Sequence, residues 1–368
     1  MSDRVTCSLS THPCGNRDFS EAILKKIYIA PDFRAHSGVS AYARNFYGHV
    51  LEPLGFDHRD FGSSAEFDAW YGAGDPADCF HVEIAVGTHT ERQILLSLLR
   101  RGAIVDITLH DPPYLAFPWY RGANRVVNQI SKLAQIALPQ ALFGQKWAEH
   151  IRRIYVLSQA GCSRTRKAYR AATVRYLPFI CVRKPSPAAP QELALVYTGF
   201  IGKKKGLDYA LQLHRALLTD FPNLVFKVVG EPVDPVTRSY FQGLQHDYRD
   251  HVEYLGYVDE AEFVRLLSAG HIVLLPTRDY GTICPVSANI LDALTLGSVV
   301  ITTRANANHE FIDDGRNGRF FSGTLLRDVE MIASLLQERC LRQQLITTAQ
   351  ARLAREHSPA QVLDAMRA

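Results

Sequence analysis

Lys203, Lys204 and Lys205 stand among glycines in the run Gly199-Phe200-Ile201-Gly202-Lys203-Lys204-Lys205-Gly206, directly after the apolar stretch Leu193 to Tyr197. Beyond it, Leu207, Ala210, Leu211 and Leu213 recur with a helical period. Strand, basic glycine loop and helix together are suited to holding phosphate. Glycines let the backbone approach the anion, the helix start aims free N–H groups at it, and an ammonium group adds full charge. For this stretch taken alone, a surface lysine run capping a helix is the plainer alternative.

Three further places could carry chemistry. His110-Asp111-Pro112-Pro113 closes the strand-like run Ala103 to Leu109. Ligands of open parallel sheets sit beyond the carboxyl ends of strands, so this pair is placed for chemistry; the alternative is a turn whose imidazole bonds a nearby carbonyl. Ser287 can N-cap a helix that Gly297 ends, with Asp292 in its first two turns, which makes a second anion-friendly helix start facing the same sheet edge as the lysine loop. Gly38 follows the run Lys26 to Ala30 and precedes the helical pattern Val39, Tyr42, Phe46, Val50, as either a ligand loop or an ordinary strand-to-helix turn. His309 and Glu310, in the polar loop Asn306 to Gly318, are available to line the same cleft.

The elements that must position these residues alternate. Strand-like runs at His81 to Val86, Ile154 to Leu157, Leu224 to Glu231, Val252 to Tyr257, His271 to Pro276 and Val299 to Ile301 are interleaved with helical patterns such as Glu91 to Arg101 and Asp259 to Ala269. That alternation predicts parallel sheets with helices on their faces. A chain of 368 residues is long enough for two domains. The expected division is a loose tail over 1–22, a first domain over 23–184, a proline-rich linker over 185–192, a second domain over 193–350, and a C-terminal helix over 351–368 that packs back on the first domain.

Hydrophobic residues at 47% and charged residues at 21% fit a folded globular chain and exclude disorder as the main state. No apolar run approaches the roughly 20 residues of a membrane span. The polar start lacks the apolar core of a signal peptide. Seven cysteines show no C-x-x-C pair and no histidine partner at metal-ligand spacing, which points to a reducing, cytoplasmic setting and against structural zinc. The net charge of +4 is unevenly spread, with thirteen Lys or Arg against the single acid Glu149 from Arg121 to Lys184. A solvated basic face explains this, and so does docking on an anionic membrane surface at the inner face of a membrane, because Ile130, Leu133, Ile136, Leu142 and Trp147 are interspersed with the charge. Nucleic acid is not an expected partner, since no recognition motif accompanies the basic residues.

Together these residues resemble the retaining glycosyltransferase family 4 enzymes of the GT-B fold, over roughly Lys26 to Phe321 and most strongly from Val196 to Gly318. The resemblance implies an α/β chain with two Rossmann-like, doubly wound parallel-sheet domains facing a central cleft. Gly199 to Gly206 matches the family's glycine, basic, Lys-Gly pattern, with Lys205 implied to hold the donor diphosphate. Gly38, Gly199, Gly202, Lys203, Lys204 and Gly206 are implied to surround it. Asp292, opening D-A-L-T-L-G, takes the place of a ribose-binding glutamate, and Glu310 to Gly318 matches E-I-I-x-D-G-x-N-G. His110 is similar to the histidine that faces the transferred sugar. Two departures stand out. Phe200 replaces an arginine, and Cys284 replaces the sugar-contacting glutamate eight positions before Asp292, leaving Thr282, Ser287 or Asn289 for that contact.

The implied activity is retaining transfer of a sugar from a nucleotide diphosphate sugar to a saccharide, lipid-linked acceptor in cell-surface polysaccharide or lipopolysaccharide assembly, with Lys205 and His110 catalytic. No cofactor or metal is expected, as the sequence shows no D-x-D pair. A sugar-nucleotide epimerase on the same scaffold is the nearest alternative. A catalytically degenerate nucleotide-sugar-binding protein, marked by Phe200 and Cys284, is another.

Overall fold

Short β-rich runs bounded by glycine, proline and small polar residues become strands, and the amphipathic stretches between them become helices. The computed structural model describes residues 25–35, 37–73, 77, 79–115, 140–183, 193–268 and 270–368. The tail 1–22, the linker 185–192 and residues 121–139 of the basic segment lie outside the described residues.

The first half runs β1 (Lys26–Ile29), α1 (Gly38–Phe46), β2 (Phe56–Arg59), α2 (Ser64–Gly72), β3 (Cys79–Ile84), α3 (His89–Arg100), β4 (Val105–Leu109), α4 (Gln140–Ala148), β5 (Arg153–Val156), α5 (Gln159–Ala168) and β6 (Val174–Tyr176). The second half runs β7 (Leu195–Thr198), α6 (Leu207–Leu217), β8 (Phe226–Val229), α7 (Pro235–Asp247), β9 (Val252–Gly256), α8 (Glu260–Ser268), β10 (Ile272–Leu275), α9 (Ala288–Leu296), β11 (Val299–Thr302), α10 (Asn308–Phe311) and β12 (Arg319–Phe320). Three helices follow, α11 (Leu325–Gln337), α12 (Arg339–Glu356) and α13 (Pro359–Arg367).

The strands form two six-stranded sheets, ordered β2-β1-β3-β4-β5-β6 and β12-β11-β10-β7-β8-β9, with every pairing parallel. The expected pair of doubly wound parallel sheets is therefore present. Burial on both faces explains the apolar runs, since β3, β4, β7, β10 and β11 are buried throughout. Strand order reverses between β1 and β3 in one sheet and between β7 and β10 in the other. A crevice opens at such a reversal because the flanking connections leave toward opposite faces. The Gly38 loop leaves β1, and the lysine loop leaves β7, so both emerge at these points.

The two layers meet in one apolar cluster, in which Tyr42, Phe46 and Phe179 from the first half join Ile290, Leu294, Val362 and Met366 from the second. Helix α13 packs against the helical turn Tyr47–Leu51. His357, just before it, donates through Nδ1 to the Phe179 carbonyl at 2.9 Å, while its own carbonyl accepts the Cys181 amide at 2.8 Å. Among the described residues no helix is long and apolar enough to cross a membrane.

Buried histidines are expected to make this fold acid-sensitive. His271, 3% exposed, accepts the Ala194 amide on Nδ1 at 3.0 Å, a bond that requires that nitrogen to be unprotonated. Burial, then the nearby Lys227 and Arg265, lowers its pKa to about 4. Above the unfolded value of about 6.5 neither state is protonated, whereas below it the unfolded chain binds a proton that the native site refuses. Stability should accordingly fall from about pH 6.5 toward pH 4, by on the order of 3 kcal/mol from this group. In urea titrations at stepped pH, His271→Asn should flatten that acid limb; an identical limb in both proteins would refute the assignment.

Candidate functional site

The lysine loop is fixed by close backbone approach. Gly199 has φ +121°, and a Cβ there would lie 2.4 Å from Asn289 Nδ2. Asn289 donates that amide to the Thr198 carbonyl at 2.9 Å, which ties the start of α9 to the end of β7. Gly206 has φ +77° and a Cβ would fall 2.1 Å from the Pro276 carbonyl oxygen, so only glycine lets the loop press against the end of β10. Gly202 is extended and turns the chain into the short helical turn Lys203–Lys205.

The three lysines are not equivalent. Lys204 Nζ donates to the Asp279 carbonyl at 2.6 Å, engaging it with the loop after β10. Lys203 lies over Tyr240 and Lys205 over Tyr280, each 5.9 Å from the ring centroid. Lys203 and Lys204 are exposed, whereas Lys205 is half-buried and has no carboxylate partner among the described residues. Arg278, which sequence reasoning missed, holds this loop in place. Its amide donates to Lys204 O at 2.8 Å, and its guanidinium donates to Lys203 O and to Asp208 Oδ2, the latter at 2.7 Å.

Facing the loop is the start of α9. Ser287 occupies the N-cap position with extended backbone, yet its hydroxyl makes no capping bond, so the first amides of α9 lack a side-chain acceptor from it. Gly38 begins α1 and lies against Ala288, 3.8 Å from a Cβ built on it to Ala288 Cβ, which brings a helix start from each layer together. Thr282 is exposed on the loop leading into α9. Asp292 is half-buried on α9 beside Cys181, whose thiol is pushed up to about 12 by burial and by the Asp292 carboxylate, against a hydrogen bond from Thr295. Cys284 is buried, and its amide donates to the Pro112 carbonyl at 2.8 Å, linking this loop to the end of β4.

At that end stands His110, with Nε2 2.6 Å from Glu83 Oε2. Glu83 Oε1 accepts the Tyr28 hydroxyl at 2.8 Å. The partner of His110 is thus a carboxylate, not the backbone carbonyl of an ordinary turn. Burial first, then the Glu83 charge, drives the phenols of Tyr28 and Tyr42 well above the ordinary tyrosine range. Glu83 was missed in the sequence, although an acid in the middle of the strand His81-Val82-Glu83-Ile84 was a usable signal.

Glu310 reaches across the two layers. Its carboxylate accepts the Gln159 and Ala160 amides at 2.7 and 2.6 Å, capping α5 of the first layer. Arg352 supports it from behind by donating to the Glu310 carbonyl at 2.7 Å. From the other side Arg164 of α5 donates to the Gly281 carbonyl at 2.9 Å. A hollow of about 830 Å³ opens beside Glu310 and Arg352 and contains neither Lys205 nor His110. His309 lines that hollow.

Residues 192–338 match the family model described as Glycosyl transferases group 1. The match spans the second sheet; the first sheet lies outside it. Among solved structures, the chain is similar to the sucrose-phosphate synthase tll1590 from Thermosynechococcus elongatus, at 14% identity and TM-score 0.70, covering 93% of this chain and 97% of that one. It is similar also to Anabaena Alr3699/HepE in complex with UDP and glucose, at 12% identity and TM-score 0.69, covering 94% and 98%. The pneumococcal O-GlcNAc transferase GtfA, in complex with UDP and GlcNAc, aligns at 13% identity and TM-score 0.57, over 78% of this chain and 56% of that one. No curated protein matches the chain in sequence. The fold is GT-B.

Removing the Glu310 carboxylate would leave two helix-start amides without their acceptor in the seam between the layers. Glu310→Ala should therefore cost about 2 kcal/mol, with Glu310→Gln intermediate because it keeps an acceptor but loses the charge. Denaturation midpoints of the three proteins test this, and equal midpoints would show that the carboxylate contributes nothing to the seam.

Proposed function

We propose that this protein is a glycosyltransferase that moves a sugar from a nucleoside diphosphate sugar to a hydroxyl of a saccharide acceptor, with retention of anomeric configuration. The observation that carries this reading is Lys205, a half-buried cation without a carboxylate partner among the described residues, set at the strand-order reversal of the sheet that matches the group 1 family model. Solved proteins of similar fold hold UDP and sugars, which supports a nucleotide sugar as donor.

In the proposed reaction the bond from the anomeric carbon to the diphosphate oxygen breaks, and its electron pair stays on the diphosphate. The acceptor oxygen forms the new bond to that carbon on the same face. A leaving phosphate oxygen takes the acceptor proton, so no nucleophilic carboxylate is required. Charge grows on the diphosphate as the bond breaks, and the Lys205 ammonium with the starts of α6 and α9 stabilises it. The backbone around Gly199, Gly202 and Gly206 allows close approach, with Lys203 and Gly38 at its edges. Asp292 is assigned to the nucleotide ribose, and Thr282 or Ser287 to the transferred sugar. Asn289 reaches the site only indirectly, since its amide is engaged by Thr198 O.

These groups are proposed to suffice without a metal ion, so EDTA should leave turnover unchanged. A lipid-linked acceptor, in assembly of a cell-surface polysaccharide or lipopolysaccharide at the cytoplasmic face of a membrane, is the acceptor class we favour from the basic segment 121–184.

Lys205→Ala should lower turnover by a factor of ~100 or more, as for one removed charge-stabilising donor. Asp292→Asn should act more gently, through weaker nucleotide binding. The assay incubates the purified protein with nucleotide sugars and acceptors and follows both free nucleoside diphosphate and epimerised sugar. Near wild-type turnover by Lys205→Ala would refute the role of Lys205, and epimerised sugar without diphosphate release would refute transfer.

A further inference from the structure

The strand pair β3 and β4 carries a buried polar line that nothing in the proposed reaction yet uses. Glu83 is fully buried, and Glu83 pairs in register with Thr108, two residues before His110. An apolar side chain would fill this interior position without the cost of desolvating a charge, so the carboxylate calls for a chemical reason. Its surroundings are specific. Tyr28 from β1 donates to Oε1, and His110 at the end of β4 meets Oε2. His81 on the same strand lies 3.7 Å from Oε1, kept neutral by burial, with its Nε2 engaged by Thr108 Oγ1 at 2.8 Å. Tyr42 from α1 packs edge-on against the His110 ring at 4.9 Å.

Hydrogen accounting then decides the tautomer. The Tyr28 hydroxyl is a donor to Glu83, which favours the ionised carboxylate, and an ionised carboxylate only accepts. The hydrogen in the 2.6 Å contact therefore belongs to His110 Nε2, and in the neutral ring Nδ1 keeps a lone pair. Nδ1 has no hydrogen-bond partner among the described residues, and the side chain is 10% exposed at the carboxyl end of β4.

We infer that Glu83 is a positioning residue that holds His110 as its Nε2–H tautomer and so offers Nδ1 to the cleft as the acceptor for a sugar hydroxyl. The identity of that ligand rests on the transferase reading; the tautomer does not. Loss of the carboxylate frees the ring to place its hydrogen on Nδ1, turning an acceptor into a donor at the point where the hydroxyl binds.

The test begins with the full chain labelled with ¹⁵N-histidine, the His110 signals being assigned by their loss in His110→Gln. Long-range ¹H–¹⁵N spectra at neutral pH should show Nδ1 as the unprotonated nitrogen; a protonated Nδ1 in the wild-type protein overturns the inference, whether or not any transfer activity is found. In Glu83→Gln the signals should move toward the Nδ1–H form. Its kcat/KM should drop about 10-fold, the scale of one hydrogen bond to substrate, while the Kd for nucleoside diphosphate stays unchanged. A rise in KM for the donor places the hydroxyl on the transferred sugar, and a rise for the acceptor places it there instead. A folded Glu83→Gln protein with wild-type tautomer and wild-type kcat/KM also overturns the inference. Should that variant fail to fold, the wild-type spectrum decides alone.

Discussion

Glu310 bonded to the start of α5 is the contact on which the rest of the cleft depends. Parallel sheets place their ligand loops at one end, but strand pairing says nothing about how two such ends face each other. That angle is set at the seam. Glu310 of the second layer binds the amides of Gln159 and Ala160, Arg164 reaches back to the Gly281 carbonyl, and the Cys284 amide meets the Pro112 carbonyl. Every one of these contacts ends on main chain. They fix backbone positions, not side-chain tips, so the loop leading to Ser287 is held at Gly281 and Cys284, and the chain just beyond His110 is held at Pro112.

What the sequence makes legible follows burial. Interior strands such as β4, β8 and β10 are legible as apolar runs because both their faces are covered. Strands β2, β6 and β12 escape detection, and all lie at or toward sheet edges, where a half-exposed strand such as Phe56–Arg59 carries too little apolar signal. Glycine punctuation marks the lysine loop just as clearly. The partners that make it a site are another matter: Arg278 and Asn289 are 70 and 91 positions from Asp208 and Thr198, which they bind. Such pairings arise from the topology, and no local spacing announces them.

Glu310 shows the same limit from the other direction. Its motif was recognised, and its loop does adjoin the cleft, but its oxygens are aimed across the seam at a helix that begins 151 positions earlier. Glu83 is the opposite case. Its place inside an apolar strand was visible, and an unbalanced acid there demands a partner on the neighbouring strand.

Charge around the lysine loop gives the proposed chemistry its particular form. On the proposed reading, Phe200 stands where the resemblance implies an arginine, which leaves the loop one cation short. Arg278 is near enough to invite the thought that it substitutes, yet its guanidinium is already paired with Asp208 and bonded to the Lys203 carbonyl. Lys204 is likewise tied to the Asp279 carbonyl. Both act on the loop's shape. On the proposed reading, the growing charge of the leaving diphosphate then falls on Lys205 and on helix starts that no hydroxyl caps, a site with fixed dipoles and one central cation. Such a site depends on the exact seating of that one lysine. That dependence accounts for a loop clamped from three sides, by Pro276, Arg278 and Asn289, around a residue that none of them neutralises.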